Sequence, residues 1–439
     1  MKNAKKDIRT LIFSGFILLL LIPFIQREFS IVNDGKLEGA FISKEKPVFN
    51  NKDWFSGKFQ TASEEYLNES FGFRNVMVRL NNQIAFTFFR KANADNIVVG
   101  RNNYLFQKPT IDAYYGRDFL GDEVIERRMM RLKFISDTLA ALHKNLVLIL
   151  GTGKGSFYPE FIPEQLRSAK GSTNIEYHEK LANKLGLNYI DFNTYFIDAK
   201  NTSRYPLYPQ YGIHWSSYGS FIVADSVIHY IESLRHTDLP EIISDSIAFR
   251  QPEKEEYDIA GGMNLLFRLK SFEMAYPKIH VEPDFGKTKP SVLVIGDSFY
   301  WGLQNMEISK AFSKTEFWFY NNRGTAGALK ELPLLTRVRM AEEIKNFDVL
   351  ILIATESNLP DLGWGFIENT YTYYKGIDPN RFDEFLFQEE VGDIKALLKK
   401  DPKKMERIME VAAKNHISVD SMLTLRATTR AKNNRINKK

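Results

Sequence analysis

The pattern of apolar and polar positions changes character several times along this 439-residue chain. Met1 to Arg9 carries Lys2, Lys5, Lys6 and Arg9 against Asp7 alone. Thr10 to Ile25 is then uncharged and almost wholly apolar, which is longer than most signal-peptide cores. No small-x-small cleavage site follows, since the next residues are Gln26-Arg27-Glu28-Phe29. The pattern predicts an uncleaved signal anchor, with residues 1–9 as a cytoplasmic basic flank and 10–25 as the transmembrane segment. The positive flank stays inside, so the bulk of the chain lies beyond the cytoplasmic membrane. Residues 26–95 read as an extracytoplasmic stalk and helical entry segment. The stretch 30–60 has no sustained period, and apolar runs at 62–67 and 76–89 have helical character. Residues 96–106 (NIVVGRNNYLF) read as a hairpin turning at Gly100 to Asn103.

From there the chain alternates between strand-like and helix-like patterns. Apolar positions Ile125, Met129, Leu132, Leu139 and Leu142 recur at helical spacing within 121–143. Strands are predicted at 145–150, 187–192, 291–295, 316–320 and 347–354, and helices at 175–185, 216–234, after Ser298, and at 327–345. Strands that are unbroken apolar runs, alternating with helices, predict an α/β domain with a parallel sheet covered on both faces, over 96–375. Residues 236–288 break the rhythm and read as an insertion. Residues 376–425 read as a small helical appendage, with Pro402 opening one helix and Asn415 near its end. The last stretch, 426–439, is a basic tail with a solvated end as its expected state.

Composition narrows the chemistry. The formal charge is +5, and the basic tail accounts for all of the excess. No basic face interleaved with aromatics suggests nucleic acid. There is no cysteine, so disulfides, thiolate nucleophiles and cysteine metal sites are excluded. The histidines lack metal-ligand spacing, so no metal is expected, and nothing calls for an organic cofactor. Gly151-Thr152-Gly153-Lys154-Gly155-Ser156 looks like a phosphate loop, but its glycine and lysine spacing fails that motif.

Two loops carry the candidate chemistry. Gly296-Asp297-Ser298-Phe299 closes the strand at 291–295, which sets a hydroxyl at a strand end and backbone N–H groups where an oxyanion would develop. Gly212-Ile213-His214-Trp215 precedes the helix at 216 and supplies a histidine in a similar setting. Each has a plain structural reading, as a helix cap for Ser298 and an aromatic-cluster histidine for His214. Two strand-end positions of one sheet favour nucleophile and general base.

These residues, with three further segments, resemble the AlgJ/AlgX-like (alginate O-acetyltransferase related) group of SGNH-hydrolase-like proteins. The segments are Asn68 to Asn75, the hairpin Val98 to Phe106 and the stretch Lys154 to Pro163. His214-Trp215 with Gly219 is similar to that group's "D-x-H-W-x-x-x-G" motif, and Gly296 to Phe299 to its nucleophile block. The resemblance implies a three-layer, circularly rearranged SGNH-hydrolase-like fold. It also implies O-acetyl transfer, or ester hydrolysis, on a cell-envelope or secreted polysaccharide through an acyl-serine. Ser298 and His214 are then catalytic. Lys154, Trp215, Tyr300 and Trp301 are candidates to line the substrate site. The acetyl donor is expected from a multi-pass membrane acyltransferase. Two departures stand out. Gly212 occupies the motif's aspartate position, and Glu356 ends the strand that carries an oxyanion-hole asparagine in SGNH enzymes. Glu356, Asp297 and Asp191 are candidate replacement acids. Asn321, Asn322 and Asn358 are candidate oxyanion donors beside the Ser298 backbone N–H. The alternative reading is a degenerate domain that serves as a glycan-binding or scaffold subunit of an envelope complex.

Overall fold

A computed structural model of the chain describes residues 2–39, 44–323 and 341–437. The chain divides into two compact units: Met1–Val99 with Tyr257–Ser271, and Gly100–Glu256 with Phe272–Lys439.

The first unit is helical. A helix runs from Lys2 to Phe29, and its 22-residue span Ile8–Phe29 is long and apolar enough to cross a membrane. The helices Lys58–Glu69 and Arg74–Phe89 follow. The latter presents a polar stripe to irregular backbone. Asn75 Nδ2 donates to Gly35 O at 2.6 Å, Arg79 donates to Asp34 O and Lys36 O, and Asn82 Nδ2 donates to Met263 O at 2.8 Å. The aperiodic stretch after the first helix is therefore held by side chains rather than by its own ladder.

The second unit holds the sheet. Among the described residues of the whole chain the strands, in order, are β1 (Ile97–Val99, in the first unit) and, in the second, β2 (Leu105–Gln107), β3 (Asn145–Gly151), β4 (Tyr189–Asp191), β5 (Ile242–Arg250), β6 (Met274–Val281), β7 (Ser291–Gly296), β8 (Lys314–Phe319), β9 (Asn322–Arg323) and β10 (Val349–Thr355). Six of them form one sheet in the order β4-β3-β10-β7-β8-β9. The pairs β4–β3, β3–β10, β10–β7 and β7–β8 are parallel, and only the two-residue β9 runs antiparallel. Nearly every residue of β3, β7 and β10 is buried, on both faces. One face is covered by the helices Asp122–Ala141, Asn174–Leu185 and Phe366–Tyr374. The helix Ser217–Arg235 buries Val223, Ala224, Val227, Ile228 and Ile231. This is the expected α/β architecture, and the apolar runs explain it, because a strand covered on both faces has no position to spare for a polar side chain.

Register brings the functional segments together. Thr355 pairs with Gly151, Ile353 with Gly296, and Gly296 with Phe319. The carboxyl ends of β3, β7, β8 and β10 thus share one edge. From that edge emerge Lys154, Ser298, Tyr320 and Glu356.

Three features depart from the sequence pattern. Within 236–288 lies an antiparallel ribbon of β5 and β6 with an irregularity between Ser244 and Ser246. Burial does not alternate along β5, which hides the strand period. The carboxyl-terminal region holds three helices, Phe382–Lys399, Pro402–Lys414 and Val419–Asn437, around a small core of their own. The last of these runs through most of the basic tail, because Ala427 and Ala431, four residues apart, fall on one face and are fully buried. The helix expected over 327–345 lies mostly outside the described residues.

Candidate active site

β7 ends at Gly296, and the chain turns through Asp297 and Ser298 into a short helix, Tyr300–Asn305. Asp297 is fully buried and acts as the staple of this turn. Its Oδ1 accepts from Phe299 N at 3.1 Å. Its Oδ2 accepts from Thr355 N, Thr355 Oγ1 and Asn358 Nδ2 at 2.8, 2.7 and 2.8 Å. Four donors on one buried carboxylate fasten the end of β7 to the end of β10 and leave Ser298 half-buried at the edge.

The histidine arrives from the other side. Ser216 caps the helix Ser217–Arg235, its Oγ accepting from Gly219 N at 2.9 Å and donating to Pro206 O at 2.7 Å. Lys154, fully buried, donates through Nζ to Gln210 O and Gly212 O at 2.9 and 2.6 Å. This fixes the backbone just before the imidazole. Gly302, on the short helix after Ser298, faces Ser220 and Trp215. A Cβ there would sit 2.4 Å from Ser220 Oγ and 2.9 Å from Trp215 Nε1, so the serine and histidine elements pack at a distance only glycine permits. The outcome is a hydrogen bond of 2.8 Å between His214 Nε2 and Ser298 Oγ, with the imidazole also against the Phe299 ring. A hydroxyl that donates to a neutral imidazole nitrogen can pass its proton there as it attacks an electrophile.

The remaining candidates fall elsewhere. Asp191 accepts from Thr194 N at 2.9 Å, as a helix cap at the end of β4. Glu356 is buried, and its Oε1 accepts from Ser156 Oγ at 2.8 Å. Burial pushes its carboxyl up to about 7, against the lowering effect of Ser156. None of the three proposed acids is seen hydrogen-bonded to His214. Asn358 spends its amide on Asp297 and on Thr355 Oγ1, and Asn321 donates to Trp364 O at 3.1 Å. The side chain of Asn322 lies outside the described residues. Lys154 and Tyr300 are in the core, as their nine-tenths or greater burial requires, so they support the site from behind rather than lining it. Trp215 is also buried, packed on Phe196 and Phe299, and reaches a small cavity of about 20 Å³ that His214 shares. Trp301 packs half-buried on Phe317 and Phe319.

Two residues escaped the sequence reading. Tyr320 follows β8 with a left-handed backbone (φ 49°), as does Asn321 (φ 59°), a conformation non-glycine residues rarely adopt. This turn brings the Tyr320 phenol close to the Ser298 side chain. Burial and the nearby Asp297 charge push the phenol's pKa up, so it stays protonated. The second is Glu256, buried under the His214 loop. Its Oε1 accepts from Ser217 N at 2.7 Å, and Tyr276 donates its hydroxyl to Oε2. No motif marks either residue. A tyrosine after a strand and a glutamate in an irregular insertion acquire meaning only from what they touch.

Residues 97–302 match the family described as SGNH hydrolase-like domain, acetyltransferase AlgX. That stretch therefore resembles an AlgX-type SGNH hydrolase-like domain. Solved structures similar to this chain include the O-acetyltransferase domain of Pseudomonas putida AlgJ, with 18% identity, a TM-score of 0.44, and coverage of 66% of this chain and 98% of that one. Bacillus cereus PatB1 is similar at 12% identity and a TM-score of 0.39, over 60% of this chain and 96% of that one. Pseudomonas aeruginosa AlgX is similar at 14% identity and a TM-score of 0.40, over 65% and 71%. Among curated proteins, none matches the sequence.

Proposed function

We propose that the protein is a membrane-anchored, extracytoplasmic O-acetyltransferase that acts on a cell-envelope or secreted polysaccharide through an acyl-serine. The 2.8 Å hydrogen bond between His214 Nε2 and Ser298 Oγ, at the carboxyl edge of a parallel sheet in an AlgX-type domain, carries the reading. Ser298 Oγ attacks the carbonyl of an acetyl donor while His214 Nε2 takes its proton. The oxyanion is met by the Ser298 backbone N–H and by the Tyr320 phenol. Collapse expels the donor's leaving group, which takes the proton from His214. A sugar hydroxyl then attacks the acetyl-serine, gives its proton to His214, and leaves with the acetyl group as Ser298 is restored. Water in the sugar's place would make the same site an esterase. The donor is an acetyl carrier on the outer side of the membrane, supplied by a multi-pass acyltransferase. The apolar helix Ile8–Phe29 is the anchor, with its basic flank inside the cytoplasm.

The test is intact-mass detection of an acyl-enzyme. The full chain in detergent micelles is incubated with an activated acetyl ester, beside Ser298→Ala. The expected result is one acetyl adduct on the parent and none on the variant. A folded parent that gains no adduct and turns over no ester would point instead to the glycan-binding scaffold that Gly212 suggests.

A further inference from the structure

A serine–histidine pair needs a carboxylate behind the imidazole, to orient it and to stabilise the imidazolium formed when the proton arrives. Position 212, two residues before His214, has no side chain to offer. The structure shows what occupies that space. A Cβ on Gly212 would lie 2.4 Å from Glu255 O and 2.8 Å from Glu256 Cα. The backbone of Glu255 and Glu256 therefore fills the volume into which a residue-212 side chain would project. These residues come from the segment that joins β5 to β6, far from His214 in sequence and pressed on its loop in space.

Glu256 is only 2% exposed. Its carboxylate accepts from Ser217 N, the first residue of the helix that follows His214, so it holds the end of the His214 loop, where a helix N-terminus favours an anion. Tyr276 from β6 fixes the other oxygen. His214, Glu255 and Glu256 line the same small cavity, together with Ser220 and Asn305. Glu255 differs from its neighbour: it is half-buried, and it is bound by Asn305 Nδ2 at 3.2 Å.

We infer that Glu256 replaces, in space though not in sequence, the carboxylate missing at position 212, and that it positions His214 and stabilises its charged form. The inference rests on the acyl-serine reading for its purpose. Glu256 is a positioning residue, since Ser298 and His214 are the groups that touch the reacting atoms. The other titratable or charged groups around the imidazole loop are Ser298 and Tyr320 at the nucleophile, Glu255 in the cavity, Lys154 beneath Gly212 O, and Tyr276 with Arg250 behind Glu256.

The experiment follows His214 directly. The full chain, with isotope-labelled histidine and in detergent micelles, is titrated by NMR as parent, Glu256→Gln and Glu255→Gln, the His214 signal being assigned by its loss in His214→Gln. Removing a carboxylate near an imidazole lowers the imidazole pKa by about one to three units, and that shift is expected for Glu256→Gln. Ser298 acetylation by the activated ester should slow about 10- to 1000-fold, in step with the lost units, with KM little changed and the pH–rate inflection moved down. Glu256→Asp should restore part of both. In the parent, the Glu256 carboxyl carbon should show a second inflection at the His214 pKa, a readout that holds even if Glu256→Gln fails to fold. A His214 titration unmoved in folded Glu256→Gln, a larger shift in Glu255→Gln, or a parent Glu256 carbon without the second inflection would each overturn the inference. Slow acetylation with an unmoved titration overturns it too, by leaving Glu256 a purely structural role. If the parent is never acetylated but the titrations behave as expected, the acyl-serine reading fails and the Glu256–His214 coupling stands.

Discussion

Two serines at one sheet edge stand at the same distance from a titratable group, and the comparison shows how little distance alone decides. Ser298 Oγ is 2.8 Å from His214 Nε2, and Ser156 Oγ is 2.8 Å from Glu356 Oε1. His214 comes from a half-buried loop and turns its Nε2 to the Ser298 hydroxyl. Glu356 is 2% exposed at the end of β10, in a setting where its charged form is poorly solvated. Its carboxyl, raised to about 7 by burial, is enclosed by protein and offers no open face to a substrate. The first pair can therefore work as a nucleophile and base open to a substrate. The second is a structural hydrogen bond that joins the segment after β3 to the end of β10.

The largest expected effect breaks the first pair. Ser298→Ala or His214→Ala should lower ester turnover by at least about 10³-fold, whereas Ser156→Ala should leave Ser298 acetylation nearly intact. Equal losses from Ser298→Ala and Ser156→Ala would erase the distinction.

Next comes the staple that sets both strand ends. Asp297→Ala strands the donors of Thr355, Asn358 and Phe299 in a dry core, and should cost about 3–5 kcal/mol by urea unfolding. A loss under about 1 kcal/mol would mean that water replaces the carboxylate.

The second pair has a pH signature. The folded-state pKa of Glu356 lies above its ordinary 4.5, so the folded chain binds more protons than the unfolded chain between pH 4.5 and about 7. Stability should fall as pH rises through that window, by on the order of 2–3 kcal/mol from this group. Glu179, raised to about 8 by burial and by Asp191, and Asp118, raised to about 6 by burial, act with the same sign. Glu356→Gln should flatten part of the decline in Tm between pH 5 and pH 8. An unchanged slope would show that Glu356 is solvated.

The smallest effect sharpens the first pair. Tyr320→Phe removes one hydroxyl from Ser298 and should slow acetylation about threefold to tenfold, the worth of one hydrogen bond. No change would remove Tyr320 from the oxyanion site.

Legibility followed the physics of each feature. The parallel strands were readable because burial on both faces leaves an unbroken apolar run, and Gly186, with φ 62°, closes its helix where a left-handed residue is needed. The β5–β6 ribbon was not readable, because a ribbon with an exposed face carries neither an apolar run nor a helical period. The buried alanines in the basic tail were hidden for a related reason, since composition outweighs two small residues. Ser298 and His214 stood out because each sits in a short motif next to a predicted element. Lys154 was noticed for the wrong surroundings: its position after β3 suggested a cleft edge, and its two backbone acceptors place it in the core.

By itself the sequence determined the alternation of strands and helices, the apolar span before residue 30, and the identities of a serine and a histidine 84 residues apart. Those are local properties, set by side-chain periodicity and by residue type. Tertiary structure alone decided that the two meet, that Asp297 ties the end of β7 to the end of β10 rather than bonding the imidazole, and that Glu256 lies under the His214 loop. Contacts between distant segments depend on register and packing, and a glycine at position 212 records only that something else occupies the space, not what it is.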